Sequence, residues 1–94
     1  MKWYTYILRC SNGSFYVGHT NCIEKRFMCH VSKHGAKFTA VNKPEQVEYK
    51  EEFISEKAAV QRELQIKKWT RAKKQALIDG NLVRLRELSK SHDD

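Results

Sequence analysis

Residues able to do chemistry fall in two parts of the chain. Residues 15 to 30 read FYVGHTNCIEKRFMCH, which brings Tyr16, Gly18, His19, Arg26 and His30 within sixteen positions. Far downstream, Glu63 has Ala59, Val60, Ile66 and Lys67 as its neighbours three and four positions away, a largely apolar set for a helical residue. A carboxylate on such a face needs a partner, because burying a charge without one is costly. Two partners are open: Lys67, in an ion pair at the rim, or a hard divalent cation, which takes carboxylate oxygen, with a general-base role as the relative of the second. Arg62, Lys67, Lys68, Arg71, Lys73 and Lys74 surround this single acid. Arg71 and Lys73 stand at a helix start, where the macrodipole disfavours positive charge by roughly a few tenths of a kcal/mol. That placement points to an anion such as phosphate, held by helix amides and these side chains, against the plainer reading of a solvated basic face.

These groups must be positioned by elements. WYTYILRC and SFYVGHT are aromatic and β-branched runs on either side of Asn12-Gly13, a strong hairpin signal. A two-residue turn would put Tyr6 and Tyr16 on opposite faces. A three-residue Ser11-Asn12-Gly13 loop, with Gly13 in the left-handed position, pairs Tyr6 with Gly18 and places Tyr4, Tyr6, Leu8, Tyr16, Gly18 and Thr20 on one face. Thr5, Ile7, Arg9, Phe15, Val17 and His19 then share the other. The second register is preferred, since the missing side chain of Gly18 would leave room for a ligand beside Tyr6. The tyrosines also read as ordinary packing residues and His30 as a satisfied core histidine, while His19 receives no role.

Asn21 and Glu24 form a capping-box pattern that predicts a helix to about Lys33, with Ile23, Phe27, Met28 and Val31 as its apolar stripe and Arg26 and His30 one above the other beside it. Residues 34 to 45 hold the only proline and are expected to be a surface loop. A third strand is predicted over about Val47 to Phe53, and a helix capped by Ser55 over Glu56 to Trp69. Further helices are expected over Arg71 to Asp79, between Thr70 and Gly80, and over Leu82 to about Ser89. The expected fold is α+β, a small three-stranded antiparallel sheet flanked by helices in the order β-β-α-β-α-α. Residues 1–90 form one domain in this reading and 91–94 a frayed tail.

The chain has 94 residues, 40% of them hydrophobic, enough for one modest core. With 18 basic and 11 acidic residues its formal charge is +7, which favours a polyanionic partner. The absence of a charged-then-apolar leader, a long apolar run or a lipidation signal leads to the expectation of a cytoplasmic protein that does not engage a membrane. Cys10, Cys22 and Cys29 form no CxxC pair, so small buried hydrophobes are a better reading than a metal site built from Cys22, Cys29, His30 and His34.

Tyr6, then Tyr16-Val17-Gly18 ten residues on, then Arg26, His30 and Glu63, make the ordered pattern YxGxTx5RxxxH followed by a distant helical glutamate. This set resembles the GIY-YIG nuclease domain over nearly the whole chain, from Trp3 to about Asp79. IKKWTRAKKQALI is also similar to the short single-domain bacterial branch of that superfamily. Where the first motif has glycine and isoleucine this chain has Tyr4 and Thr5, so only Tyr6 carries over from it.

The resemblance implies an endonuclease that hydrolyses DNA phosphodiester bonds with one divalent cation, magnesium or manganese, held by Glu63. Arg26 would bind the scissile phosphate as a permanently charged fork. Tyr16 or Tyr6 would take the proton of the attacking water, its pKa of roughly 10 lowered by the cation and Arg26. His30 would orient the nucleophile or share the proton transfer. Gly18, Lys67, Lys68, Arg71, Lys73 and Lys74 are the expected substrate contacts, with DNA preferred to RNA and a protein partner or homodimer supplying target choice. A non-catalytic nucleic-acid-binding module of the same fold and a domain that meets an acidic protein are the competing readings.

Overall fold

The computed structural model describes residues 1–32 and 44–90, except for the side chains of residues 29–32, 44, 45 and 90. Of the loop expected over residues 34–45, residues 34–43 lie outside the described residues, as does the tail 91–94. Two strands, β1 (Trp3–Cys10) and β2 (Phe15–Thr20), lead into helix α1 (Ile23–Ser32). Strand β3 (Pro44–Phe53) is followed by α2 (Glu56–Lys67), α3 (Arg71–Ile78) and α4 (Leu82–Lys90). The sheet is antiparallel in the order β2-β1-β3, so β1 is its centre. That position explains why WYTYILRC is apolar almost throughout: Thr5, Tyr6, Ile7, Leu8 and Cys10 are all buried, on alternating faces.

The hairpin takes the three-residue loop. Gly13 has φ +84°, which a side chain would strain, and its N–H donates to the Cys10 carbonyl at 2.8 Å. Asn12 Oδ1 accepts from the Ser14 N–H at 3.0 Å and fixes the turn locally. Tyr6 consequently faces Gly18, Leu8 faces Tyr16 and Thr5 faces His19. β3 starts earlier than expected, at Pro44, opposite Cys10. Proline is tolerated there because the first residue of an edge strand need not donate to the ladder. A register shift opposite Ile7 and Leu8 sets Tyr49 across from Ile7 and Val47 across from Leu8, so these two do not lie on one face as simple alternation would require.

Helix α1 begins at Ile23 and does not use the expected capping box. The Arg26 N–H donates to the Cys22 carbonyl at 3.1 Å, the Thr20 hydroxyl accepts from the Cys22 N–H at 3.2 Å, and Asn21 turns its amide to Met1 Sδ. Met28, counted in the apolar stripe, is 65% exposed, because it lies five residues from Ile23 and well off the axis that Ile23 and Phe27 share.

The later helices start and stop where their caps direct. Ser55 accepts from the Ala58 N–H and Thr70 from the Lys73 N–H, each at 3.2 Å. α3 ends in a Schellman motif, with Gly80 at φ +68°, its N–H on the Leu77 carbonyl and the Asn81 N–H on the Ala76 carbonyl. Asn81 also caps α4, its Oδ1 accepting from the Arg84 N–H at 3.0 Å. α2 and α3 cover the Ile7/Val17 face of the sheet, where Ile7, Val17, Ile66, Trp69 and Leu77 form the core. Each such buried side chain contributes about 1.5–3 kcal/mol. No helix among the described residues is long and apolar enough to cross a membrane.

Candidate active site

On the sheet face opposite that core, Tyr6 and Tyr16 lie with ring centroids 6.4 Å apart and planes tilted by 31°. Diagonal placement across an antiparallel pair brings them together, and Gly18 lets Tyr6 lean toward β2. A Cβ on Gly18 would stand 2.5 Å from Tyr6 Oη and 2.7 Å from Cζ. The glycine is therefore required by the phenol of Tyr6. The space expected there for a ligand is already filled by that ring.

The guanidinium of Arg26, on the exposed side of α1, lies beside the Tyr6 and Tyr16 hydroxyls, with Tyr6 the stronger neighbour. Burial pushes the Tyr6 phenol above its ordinary pKa, and the Arg26 hydrogen bond opposes that rise without cancelling it. A lowered pKa was expected for a phenol at this position. At Tyr6 the structure gives the opposite direction, because the ring is only 2% exposed. His30 lies on α1 four residues beyond Arg26, and its side chain is outside the described residues.

Glu63 approaches from the other side. α2 packs on the Thr5/Ile7/Val17 face, and Glu63 is 9% exposed on it. Its Oε1 is 2.5 Å from His19 Nδ1 and its Oε2 is 2.5 Å from Lys67 Nζ. Burial alone would raise the carboxyl pKa. The Lys67 and His19 hydrogen bonds outweigh it, so Glu63 is held below the usual carboxylate range. It is near enough to disfavour ionisation of Tyr6, which links the two faces electrostatically.

The rim ion pair with Lys67 is thus formed, and it does not remove Glu63 from consideration as a metal ligand. The carboxylate is ionised, and the Lys67 side chain is 49% exposed, so that partner can exchange. Magnesium typically keeps several waters and takes one or two carboxylates, and such a donor set fits it. Among the described residues no three His, Cys, Asp or Glu side chains cluster as a ready-made metal site.

The basic run does not form one patch. Lys73 is 3% exposed, with its ammonium 4.3 Å from the centroid of Trp69, and Arg62 flanks the same indole at 5.2 Å while bonding Glu51 at 2.8 Å. Arg71 stacks over Phe15 at 4.3 Å. Cation–π contacts thus give the positive residues at the start of α3 aromatic partners within the fold. Burial, and then Arg71, lower the pKa of half-buried Lys74, while Lys68 is exposed. Of these residues Lys67 alone touches Glu63. His19 is the contact that reading the sequence missed, although the preferred hairpin register places it on the face that receives α2.

Comparison with known proteins identifies the family and the fold. The family model described as the GIY-YIG catalytic domain matches residues 2–76. A UPF0213 protein of Bacillus pumilus is 43% identical over 81% of this chain and 78% of its own. One from Limosilactobacillus reuteri is 38% identical over 96% of both chains. The solution NMR structure of the UPF0213 protein BH0048 from Bacillus halodurans superposes with a TM-score of 0.55 at 34% identity, covering 86% of each chain. By its motifs, its fold and the extent of these matches, the chain belongs to the GIY-YIG nuclease-domain family, and its relatives are UPF0213 proteins.

Proposed function

We propose that the protein is a divalent-metal-dependent endonuclease that hydrolyses DNA phosphodiester bonds. The observation that carries this reading is the Tyr6/Tyr16 ring pair, centroids 6.4 Å apart, with the exposed guanidinium of Arg26 beside it and the carboxylate of Glu63, held by His19 and Lys67, reaching in from the packed helix. A fixed cationic fork of this kind matches the non-bridging oxygens of a phosphate.

Each side chain has a task in that reaction. Arg26 binds the scissile phosphate and opposes the charge that grows on its oxygens as water adds to phosphorus and the bond to the leaving oxygen breaks. Tyr6, buried and with a raised pKa, remains a phenol at neutral pH and keeps Arg26 in place. Tyr16, half-buried and accessible to water, takes the proton of the nucleophile. His30 shares that proton transfer or orients the water. Glu63 would hold a magnesium or manganese ion, which when bound supplies positive charge to the leaving and non-bridging oxygens. Lys68 contributes general attraction to the polyanion.

Nicking of supercoiled plasmid with magnesium, manganese or EDTA tests the proposal, run beside Glu63→Ala and Arg26→Ala. Metal-dependent nicking lost in both variants is expected. A wild type that cuts neither plasmid nor branched or single-stranded DNA, yet binds it with steep salt dependence, would favour the binding module.

A further inference from the structure

We propose that His19 is a positioning residue for Glu63, fixing one carboxylate oxygen so that the other is presented to the cation. The inference rests on the nuclease reading and assigns a role within its site. His19 Nδ1 lies 2.5 Å from Glu63 Oε1, and a carboxylate oxygen accepts, so the tautomer that makes this contact is the one with Nδ1 as donor. Nε2 stands 3.6 Å from Glu56 Oε2, beyond a good hydrogen bond, so Nδ1 makes the directional contact. The Trp3 ring, 6.1 Å from the imidazole centroid and tilted by 38°, backs the histidine.

His19 does not act alone on α2. It is the cross-strand neighbour of Thr5, whose hydroxyl donates to the Ala59 carbonyl at 2.7 Å. Ala59 and Glu63 are four residues apart, about 6 Å along a helix, while paired residues on adjacent strands are about 4.5–5.5 Å apart. The Thr5/His19 pair thus grips the helix at two points of matching spacing, which sets both the height and the rotation of α2 on the sheet. Of Glu63's two partners, His19 is tied to the sheet and Lys67 is a half-exposed residue of the same helix. The Oε1 side is the anchored one, and Oε2 is the oxygen freed when Lys67 swings away.

Manganese binding to wild type, His19→Ala, His19→Asn and His19→Gln, followed by EPR of the free ion, tests the assignment. Asn sets an N–H near the position of Nδ1, whereas Gln reaches toward that of Nε2. Ala and Gln are expected to weaken manganese affinity about 10-fold, with Asn within about threefold of wild type. Wild-type affinity in Ala and Gln, or an Asn variant no better than Ala, would overturn the proposal. A wild type that neither binds manganese nor nicks DNA sinks the nuclease reading instead. Crystal structures of the Ala and Asn variants then decide the positioning claim. A Glu63 carboxylate swung out in Ala and retained in Asn supports it, and one unmoved in Ala overturns it.

Discussion

Replacing Gly18 with alanine places a methyl group against the buried phenol of Tyr6. The new carbon would lie 2.5 Å from Oη, about 0.9 Å short of the 3.4 Å at which ordinary van der Waals contact begins, and 3.3 Å from Tyr16 Cε1. The far end of a side chain usually gives way cheaply. Here the ring is 2% exposed and tied to Arg26, so retreat means repacking or loss of that bond. Overpacking of this kind costs about 1–3 kcal/mol. Against it stands the roughly 0.5–1 kcal/mol by which alanine improves on glycine in a regular element. A net loss of about 1–2 kcal/mol follows, which at about 4–8 °C per kcal/mol for a domain of this size is a clear fall in Tm. Urea denaturation of wild type, Gly18→Ala, Tyr6→Phe and the double variant measures it. Removing Oη leaves the 2.7 Å approach to Cζ, so relief in the double variant is partial, with a coupling of about 0.5–1 kcal/mol. A Gly18→Ala protein as stable as wild type, or additive effects in the double variant, would refute the close-approach account.

Gly80 supplies a contrast, since a Cβ there meets nothing within 4 Å but the residue has φ +68°. Gly80→Ala is expected to cost about 1–2 kcal/mol in urea denaturation through the backbone alone, with Gly80→Asn milder, and equal stability of all three proteins would contradict this. The depressed pKa of Glu63 makes its contribution to stability fully present above the ordinary value of 4.5 and lost as pH falls through the lower folded value. The stability gap between wild type and Glu63→Gln should therefore hold from pH 7 to about pH 5 and shrink by pH 3, and a gap unchanged at pH 3 would count against the ionised, doubly bonded carboxylate. In plasmid nicking, Tyr16→Phe should lose about 10²–10⁴ in rate and Tyr6→Phe much less. Equal small losses would remove the general-base role from Tyr16.

Much of this was legible because it is local. Asn12-Gly13, Ser55, Thr70 and Gly80 act within a few residues, and each marks its turn or helix end as expected. The pairing of Tyr6 with Gly18 was also legible, though for the wrong cause: the glycine accommodates a phenol of the protein itself. What could not be read depends on distant partners. The basic residues of α3 were read by their charge alone, and the contacts of Lys73 with Trp69 and of Arg71 with Phe15 involve aromatics whose proximity only the packed sheet reveals. Pro44 read as a breaker because its place at the start of an edge strand depends on Cys10, far away in sequence. His19 had no local pattern to mark it, since its partner is 44 residues away.

The departure from the family's first motif can be understood from the same geometry. Tyr4, Thr5 and Tyr6 are successive residues of the central strand, so their side chains alternate between two faces with different tasks. Tyr6 is on the face of Tyr16 and Arg26. Thr5, fully buried on the opposite face, keeps the β-branched shape of the isoleucine it replaces and satisfies its hydroxyl on the Ala59 carbonyl, so the exchange leaves no unpaired polar group. Its effect falls on the seating of α2, and through α2 on Glu63, rather than on any group that would meet the phosphate. A one-residue slip of this strand would exchange the two faces and lose both arrangements together. The placement of Tyr6 and the height of Glu63 are therefore set by one register, and a substitution at Thr5 that preserves shape and hydrogen bonding is compatible with an intact site.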